Sequence, residues 1–361
     1  MHPTPTLAAP LRTMLLDAVR GGASDLHLLP GFPPIWRLHG DLIEQPSSAL
    51  EAAEVEALLL SLCTPEMWQR FQTEKNLDCA FLLSAEEQSA RFRANLFWAD
   101  GLPGGCLRIV PADIPSFAWS GFPRGLADRL AFLLDGLVIF TGATGSGKTT
   151  TLAQIVNILN QMGGYRILTI EEPVEYRYAR LSSSVVSQRE VGLDVHTFAD
   201  GLKYGLRQDP DVVLVGEIRD RDTAQMALSA AETGHLVFTT LHTRDAKGAI
   251  SRFADFFAQE VQRDIRYQLA SSLRAVVAQR LVPGLEAGTK RHLALEVLWN
   301  THPIASAIRT GKLESIDNYL PTGRDEGMVS FDESIRKLLE AGLIRREVAE
   351  RNVRDLTVLG R

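Results

Sequence analysis

The spacing of apolar positions changes about a third of the way along the chain. Up to residue 110, short stretches alternate between apolar and polar positions, which predicts strands at 24–29, 35–38, 77–83, 90–98 and 105–110. Helical spacing is found at 11–20 and again after Ser48, where Ser48 and Glu51 have the spacing of a capping box. Residues 11–110 are therefore predicted to form a small α+β domain.

A different pattern follows residue 123, where short apolar runs alternate with segments of helical spacing. The runs predict buried strands at 137–140, 167–170, 212–215 and 236–240. The intervening segments predict helices at 149–161, 198–207 and 223–232. This alternation indicates a largely parallel sheet with helices on both faces. From residue 246 onward the chain is expected to be mostly helical, with a closing amphipathic helix at 331–343.

A proline-rich segment without periodicity separates the two patterns and marks a domain boundary. We predict an N-terminal domain at 1–112, a linker at 113–123 and a second domain at 124–361.

Composition limits the classes of partner and compartment. The net charge of −6 and the lack of a basic run give no electrostatic reason to expect a nucleic-acid partner. Three separated cysteines argue against a disulfide framework or a zinc ribbon and favour a reducing cytoplasm. The sequence shows no signal peptide and no apolar stretch of membrane-spanning length, so we expect no integral membrane segment and at most a peripheral membrane role.

The strongest chemical motif lies between the predicted strand at 137–140 and the helix that follows it. The motif has the form G-x-x-x-x-G-K-T, the phosphate-binding loop, and strand–loop–helix is the context that it requires. Its glycines let backbone N–H groups turn inward, and the helix N-terminus favours an anion. Lys148 would reach the β- and γ-phosphates of ATP, and the Thr149 hydroxyl would hold Mg²⁺. The predicted nucleotide-binding residues are Gly142, Ala143, Thr144, Gly145, Ser146, Gly147, Lys148, Thr149 and Thr150.

Carboxylates follow two of the predicted strands, where ATP hydrolysis needs them. Glu171, Glu172 and Glu175 come after a strand expected beside the phosphate-loop strand, at the edge where doubly wound sheets bind ligands. They could orient water or accept bonds from the Mg²⁺ shell, or they could form a solvated acidic loop. Glu217 ends the next hydrophobic strand, where it would polarise water or hold Mg²⁺, although a plain strand-end glutamate is the alternative.

Two histidines and three arginines are weaker candidates. His235 and His242 flank one predicted strand, and histidine can donate to phosphate oxygens, but either residue alone is more often structural. Arg91, Arg93 and Arg108 lie on strands of the small domain. The pattern alone favours an exposed strand face over phosphate contacts across an interface.

Taken together, these motifs resemble the PilT-like branch of the type II/type IV secretion ATPases. The matching stretches are 23–28, the loop at 142–149, the acidic box at 170–176, the strand end at 215–220 and the histidine box from 231 to 243. The resemblance implies an α/β fold with a small PAS-like α+β N-terminal domain and a RecA-like P-loop ATPase domain with a helical C-terminal region. It also implies a homo-hexamer in which Arg91, Arg93 and Arg108 reach a neighbour's nucleotide.

Within this family, Ala307-Ile308-Arg309 followed by Lys312 resembles an element of the retraction ATPases. The chain lacks the four-cysteine insert usual in extension and secretion ATPases. Three positions depart from the family pattern: Glu172 replaces an aspartate, Ala143 replaces a common proline, and the segment 98–101 lacks a frequent arginine.

The resemblance implies a Mg²⁺-dependent ATPase that drives type IV pilus retraction and twitching motility. In this interpretation Glu175 is the general base, Glu217 positions Mg²⁺ and water, Glu171 and Glu172 support them, and His235 and His242 sense the γ-phosphate. The motor would lie in the cytoplasm, peripheral at the inner face of the bacterial inner membrane. Its expected partners are an inner-membrane pilus platform protein and, as a further candidate, a paralogous pilus ATPase. The alternatives are an accessory or regulatory secretion or pilus-assembly ATPase with weak hydrolysis, and a nucleic-acid translocase, which the acidic balance disfavours.

Overall fold

A computed structural model of the chain describes residues 7–38, 40–84, 89–111, 113–181, 183–286 and 290–360. The chain divides into two compact units, the first ending at Asp113 and the second beginning at Ile114. Residue 112, the predicted end of the N-terminal domain, lies outside the described residues.

The first unit is an antiparallel sheet with three helices. Its strands are β1 (Asp25–Leu28), β2 (Ile35–Leu38), β3 (Asp41–Glu44), β4 (Asn76–Ser84), β5 (Ser89–Ala99) and β6 (Leu102–Pro111), in the spatial order β3-β2-β1-β6-β5-β4. Its helices are α1 (Ala9–Arg20), α2 (Ala52–Leu60) and α3 (Pro65–Glu74). Leu15 of α1, Val55 of α2 and Phe92 of β5 are fully buried in one apolar cluster, which fixes the helices on one face of the sheet.

The start of α2 differs from its prediction. Ser48 precedes the helix, and the N-cap is Glu51, whose side chain and that of Glu54 form a reciprocal capping box. A glutamate with the right spacing therefore caps the helix three residues later than the serine would have done.

The second unit is built on a sheet of seven strands. They are β7 (Gly136–Thr141), β8 (Arg166–Glu171), β9 (Val185–Glu190), β10 (Val212–Val215), β11 (Leu236–Leu241), β12 (Leu273–Val282) and β13 (His292–Trp299). The helices are α4 (Phe117–Ser120), α5 (Arg124–Ala131), α6 (Lys148–Met162), α7 (Phe198–Gly205), α8 (Arg221–Glu232), α9 (Ala246–Asp255), α10 (Gln262–Ser272), α11 (His302–Thr310), α12 (Ile316–Thr322), α13 (Phe331–Glu340) and α14 (Arg346–Asn352).

The strand order of this sheet is β13-β12-β7-β11-β10-β8-β9. Every neighbouring pair is parallel except β12 and β13. The carboxyl ends of β7, β8, β10 and β11 therefore meet at one edge. The prediction that β8 lies beside the phosphate-loop strand β7 is wrong, because β11 and β10 lie between them.

The expectation of a mostly helical region after residue 246 is also incomplete. Strands β12 and β13 form an antiparallel hairpin there, with Val277 opposite Val297. Strand β12 is buried over most of its length, so its apolar residues do not alternate and also fit helical spacing. Beyond the hairpin, Phe331, Ile335, Ile344 and Leu359 pack with β12 residues in a separate small apolar cluster.

Candidate functional site

The phosphate loop joins the end of β7 to the first residue of α6. Gly142 has φ 140° and Gly147 has φ 91°, conformations that residues with a side chain rarely adopt. A Cβ atom on Gly142 would also lie 2.3 Å from the backbone oxygen of Gln279. The loop conformation therefore requires glycine at Gly142 for two independent reasons.

Lys148 places a cation at the centre of this end of the sheet. Its side chain is 7% exposed, and its Nζ donates to the backbone oxygens of Gly142 at 2.7 Å and Ala143 at 3.1 Å. Burial lowers the pKa of the ammonium to about 8, while the charges of Glu217 and Glu175 act in the opposite direction. The structure therefore brings within electrostatic reach of one another three residues that come after three different strands in the sequence.

The acidic loop after β8 is held from two sides. Tyr176 is buried, and its hydroxyl lies 2.9 Å from the Thr150 hydroxyl of α6. The Val174 N–H donates to Glu190 Oε2 of β9 at 3.1 Å. These contacts fix the loop that carries Glu175 relative to α6.

Glu171 is a buried residue that supports the acidic loop. Its buried carboxylate accepts hydrogen bonds from Thr169 Oγ1 at 2.6 Å and Gln188 Nε2 at 3.2 Å. Burial raises the pKa of Glu171 to about 7, against the effect of these two hydrogen bonds. The Gln188 side chain also donates to the backbone oxygen of Tyr176. Glu171 thus supports the acidic loop from inside.

Glu217, which follows β10, is bonded on both sides. Its Oε2 lies 3.1 Å from His242 Nε2, and its Oε1 lies 2.6 Å from Arg219 Nη2. The other terminal nitrogen of Arg219, Nη1, lies 2.6 Å from Glu172 Oε2. Arg219 therefore bridges Glu172 and Glu217, a role that the sequence analysis did not assign to it.

The two histidines lie at opposite edges of the sheet. His242 follows the carboxyl end of β11, on the side of the phosphate loop, whereas His235 precedes its amino end beside Gly136. The His235 ring contacts Thr233 Oγ1 and the backbone oxygen of Ala230 at the end of α8. Strand length alone separates the two edges by about 20 Å. Within one chain His235 therefore lies at the edge of the sheet away from the phosphate loop, with its ring beside α8, and its predicted role in sensing the γ-phosphate remains a prediction.

The three candidate arginines belong to the first unit. Arg93 lies directly opposite Arg108 on neighbouring strands, and Arg91 is two positions along the same face. Arg108 Nε is 2.8 Å from Asp25 Oδ1. The sheet therefore places the three guanidinium groups on one face.

Further arginines that the sequence analysis did not single out surround the phosphate loop. Arg244, Arg280 and Arg291 line a cavity together with residues 142–146. Arg280 belongs to β12, and its guanidinium carbon is 4.6 Å from the centre of the Phe331 ring. The sequence analysis did not single out Arg280 because it did not predict strand β12. It is this strand that places Arg280 beside the phosphate loop.

Oxygen donors for Mg²⁺ are available at the loop. The Thr149 hydroxyl is exposed at the start of α6, and Glu217 supplies a carboxylate. The described residues contain no group of three or more His, Cys, Asp and Glu side chains that could hold a metal by themselves. This donor set fits an ion that takes its remaining ligands from phosphate and water, as Mg²⁺ does.

The parallel part of the sheet has the strand order β12-β7-β11-β10-β8. A phosphate loop follows β7, and acidic residues follow β8 and β10. This arrangement defines a RecA-like P-loop ATPase domain. Residues 124–337 match the family described as type II/IV secretion system protein. The chain belongs to this family, which confirms the predicted PilT-like secretion ATPase relationship. None of the helices in the described ranges combines the length and apolar character needed to cross a bilayer.

The match to individual relatives extends over nearly the whole chain. The type IV pilus retractation ATPase PilT of Pseudomonas aeruginosa is 37% identical over 336 residues, covering 93% of this chain and 96% of PilT. The type IV pilus ATPase PilU of the same organism is 36% identical over 331 residues, covering 92% of this chain and 85% of PilU. A crystal structure of the pilus retraction motor PilT with bound ADP has a TM-score of 0.82 and 36% identity, covering 96% of this chain and 97% of that chain. The predicted two-domain ATPase fold is thereby confirmed.

The buried carboxyl of Glu171 makes stability depend on pH. Its pKa of about 7 in the fold exceeds its ordinary 4.5, so the native state binds this proton more tightly than the unfolded state. Stability from this group is therefore present below pH 4.5 and declines as the pH rises to 7. We expect the free energy of unfolding of the wild type to fall by about 2 kcal/mol more than that of Glu171→Gln between pH 5 and pH 8. Urea titrations at both pH values measure the difference.

Glu260→Gln, at an exposed position, is the matched control and should follow the wild-type profile. Parallel profiles for the wild type and Glu171→Gln would show that this carboxyl does not carry the pH dependence.

Proposed function

We propose that the chain is a Mg²⁺-dependent ATP-hydrolysing motor that acts as a homo-hexamer and drives type IV pilus retraction and twitching motility. The observation that carries this proposal is the convergence of Lys148, Glu175 and Glu217 at the phosphate loop of a chain that matches PilT over nearly its full length. A cation with two carboxylates beside it suits phosphoryl transfer to water.

In this proposal the phosphate loop and Lys148 bind the β- and γ-phosphates. Glu175 accepts a proton from water while the water oxygen attacks the γ-phosphorus, and the bond to the β–γ bridging oxygen breaks to give ADP and phosphate. Glu217 orients the water, and His242 acts through its contact with Glu217. Thr149 and Glu217 would hold Mg²⁺, which would supply positive charge to the phosphate oxygens.

The face that carries Arg91, Arg93 and Arg108 is proposed to contact the nucleotide of a neighbouring subunit. Guanidinium groups suit this role because they stay charged and donate to phosphate in a fixed geometry. The proposed domain limits remain 1–112, 113–123 and 124–361. The proposed location is the cytoplasmic face of the inner membrane, with a pilus platform protein and a paralogous ATPase as partners and no nucleic acid.

A second candidate is an accessory or regulatory pilus ATPase with weak hydrolysis. The identities to PilT and PilU differ by only one percentage point, so they do not favour one role over the other. The Glu172–Arg219–Glu217 bridge supports this alternative, because it holds Glu217 in an ion pair that water or Mg²⁺ would have to displace.

Substitutions at the site should separate binding from hydrolysis. Lys148→Ala is expected to lose both ATP binding and turnover, because the cation for the phosphates is removed. Glu175→Gln should keep binding but lower kcat by about 100-fold or more, since an amide cannot accept the proton. ATP turnover and binding of a fluorescent ATP analogue, with and without EDTA, measure both effects.

Glu260→Gln serves as the control for a distant glutamate. An unchanged rate in Lys148→Ala would refute the site, and an unchanged rate in Glu175→Gln would move the base to another carboxylate. Turnover that survives EDTA would contradict the Mg²⁺ dependence.

Mixed hexamers test whether the site is shared between subunits. Arg93→Ala and Glu175→Gln subunits should each be nearly inactive, whereas their mixture should regain part of the activity. The restored sites are those that combine an intact Glu175 with an intact Arg93 from the neighbour. Turnover of mixtures at several ratios checks this, and a rate equal to the sum of the separate variants would exclude a shared site.

Deletion of the gene should distinguish the two motor roles. A retraction motor predicts cells with excess surface pili and no twitching, because pilin is no longer withdrawn. Electron microscopy of surface pili together with a twitching assay measures the outcome, with the Lys148→Ala allele as a control for the need for ATP. Bald cells would indicate extension, and normal piliation with normal twitching would favour the accessory role.

A further inference from the structure

The segment His242–Asp245, here called the sensor segment, joins β11 to α9 beside the phosphate loop. The Thr243 N–H donates to Thr141 Oγ1 at 2.9 Å, and the hydroxyls of Thr243 and Thr141 are 2.8 Å apart. Thr141 is the last residue of β7, directly before the loop, and Arg244 lines the cavity at the loop. The position of this segment therefore sets the surroundings of the phosphate site.

Two carboxylates hold the start of α9, directly after the sensor segment. Asp245 Oδ1 accepts the Gly248 N–H at 2.7 Å, and Glu296 Oε1 accepts the Ala246 N–H at 2.9 Å. Glu296 is 3% exposed, and burial raises its pKa while the charge of Arg354 lowers it. The first turn of α9 thus depends on negative groups that need a nearby cation.

Arg354 supplies positive charge at this point. Its Nη2 lies 2.5 Å from Asp245 Oδ2, and its Nη1 lies 3.4 Å from Asp317 Oδ1 on α12. Lys247 Nζ bonds to the other oxygen of Asp317 at 2.6 Å and to Glu314 at 2.8 Å. Arg354 consequently joins the sensor segment to α12.

The backbone around Arg354 is itself anchored. The N–H groups of Arg354 and Asp355 donate to the two oxygens of Asp332 at 2.8 and 3.1 Å. Arg280, which lines the cavity at the phosphate loop, donates from Nη1 to the backbone oxygen of Asn352 at 3.2 Å. The guanidinium of Arg354 is therefore presented to Asp245 from a fixed backbone.

We propose that Arg354 is a positioning residue for ATP hydrolysis, holding the sensor segment against the phosphate loop through Asp245. The proposal rests on the nucleotide site described above. Without the guanidinium, Asp245 would lose the cation bonded to its Oδ2, while Lys247 would still balance Asp317. The sensor segment would then move, and with it the contact between His242 and Glu217.

If Arg354 acts by positioning, its loss should lower the rate of ATP turnover and leave nucleotide binding nearly unchanged. In the described part of the chain the Arg354 side chain bonds to Asp245 and Asp317, and Lys148 bonds to Gly142 and Ala143, so nucleotide binding should persist. We expect Arg354→Gln to lower kcat by about five- to tenfold while KM for ATP changes less than about twofold. Arg354→Lys should recover part of the rate, because an ammonium keeps the charge but does not bridge both carboxylates in the same geometry.

The experiment compares the full-length variants at a temperature well below their melting transitions, with the assembly state checked by light scattering. Arg346→Gln is the matched control: Arg346 lies on the adjacent α14, is similarly exposed, and pairs with Glu350 rather than with α9. Asp245→Asn should lower kcat as Arg354→Gln does, and the double variant should be no worse than either single variant. Equal rates for Arg354→Gln and Arg346→Gln, or additive losses in the double variant, would overturn the proposal.

Amide hydrogen exchange provides a readout that does not need turnover. Exchange at residues 243–248 should be faster in Arg354→Gln than in the wild type and unchanged in Arg346→Gln. If the wild-type chain does not hydrolyse ATP, the proposed function fails, and the exchange result still tests the link between Arg354 and the sensor segment. Unchanged exchange at these residues would refute that link.

Discussion

The arrangement of the nucleotide end of the sheet depends on the buried ammonium of Lys148. An ammonium removed from water is stable only where acceptors and opposite charges surround it. Two backbone oxygens of the phosphate loop accept its hydrogen bonds, and the charges of Glu175 and Glu217 face it. The ammonium is thus bonded to the loop and interacts electrostatically with acidic residues that follow β8 and β10. A phosphate at this loop would add negative charge where the burial of Lys148 is least favourable, which would favour anion binding there.

The strand order decides which side chains can share that cation. Because β11 and β10 separate β7 from β8, the acidic loop has to cross the ends of two strands to reach the phosphate loop, where Tyr176 contacts Thr150. The intervening strands end in His242 and Glu217, and Arg219 extends the chain of contacts to Glu172. A continuous row of polar contacts therefore runs from His242 through Glu217 and Arg219 to Glu172. A displacement of Arg219 or His242 would therefore change the partners of Glu217, since both of its carboxylate oxygens are bonded.

The sequence predicted the site most accurately where the backbone conformation allows only one type of residue. The glycines of the phosphate loop are required by positive φ and by close approach, so the motif located the loop and α6 correctly. It did not separate the two histidines that flank β11, although in a parallel sheet only His242, which follows the strand, lies at the same edge as the phosphate loop. It also failed for Arg219, whose partner Glu172 lies 47 positions away and becomes visible only when β8 and β10 are seen to be neighbours. Strand β12 was missed because burial on both faces removes the alternation by which strands are recognised.

The restraints on the sensor segment differ in strength, and this difference bears on how the site can move. The hydroxyl of Thr141 is fully buried, so its hydrogen bonds to Thr243 have no water to replace them and are unfavourable to break. His242 and Arg354, on either side, are each about half exposed, and ion pairs in such positions are individually weak. The segment is therefore fixed at its middle and adjustable at both ends. A change in the charge at Glu217 would act first on His242 at one exposed end, while at the other end Asp245 is held by both the Gly248 N–H and Arg354.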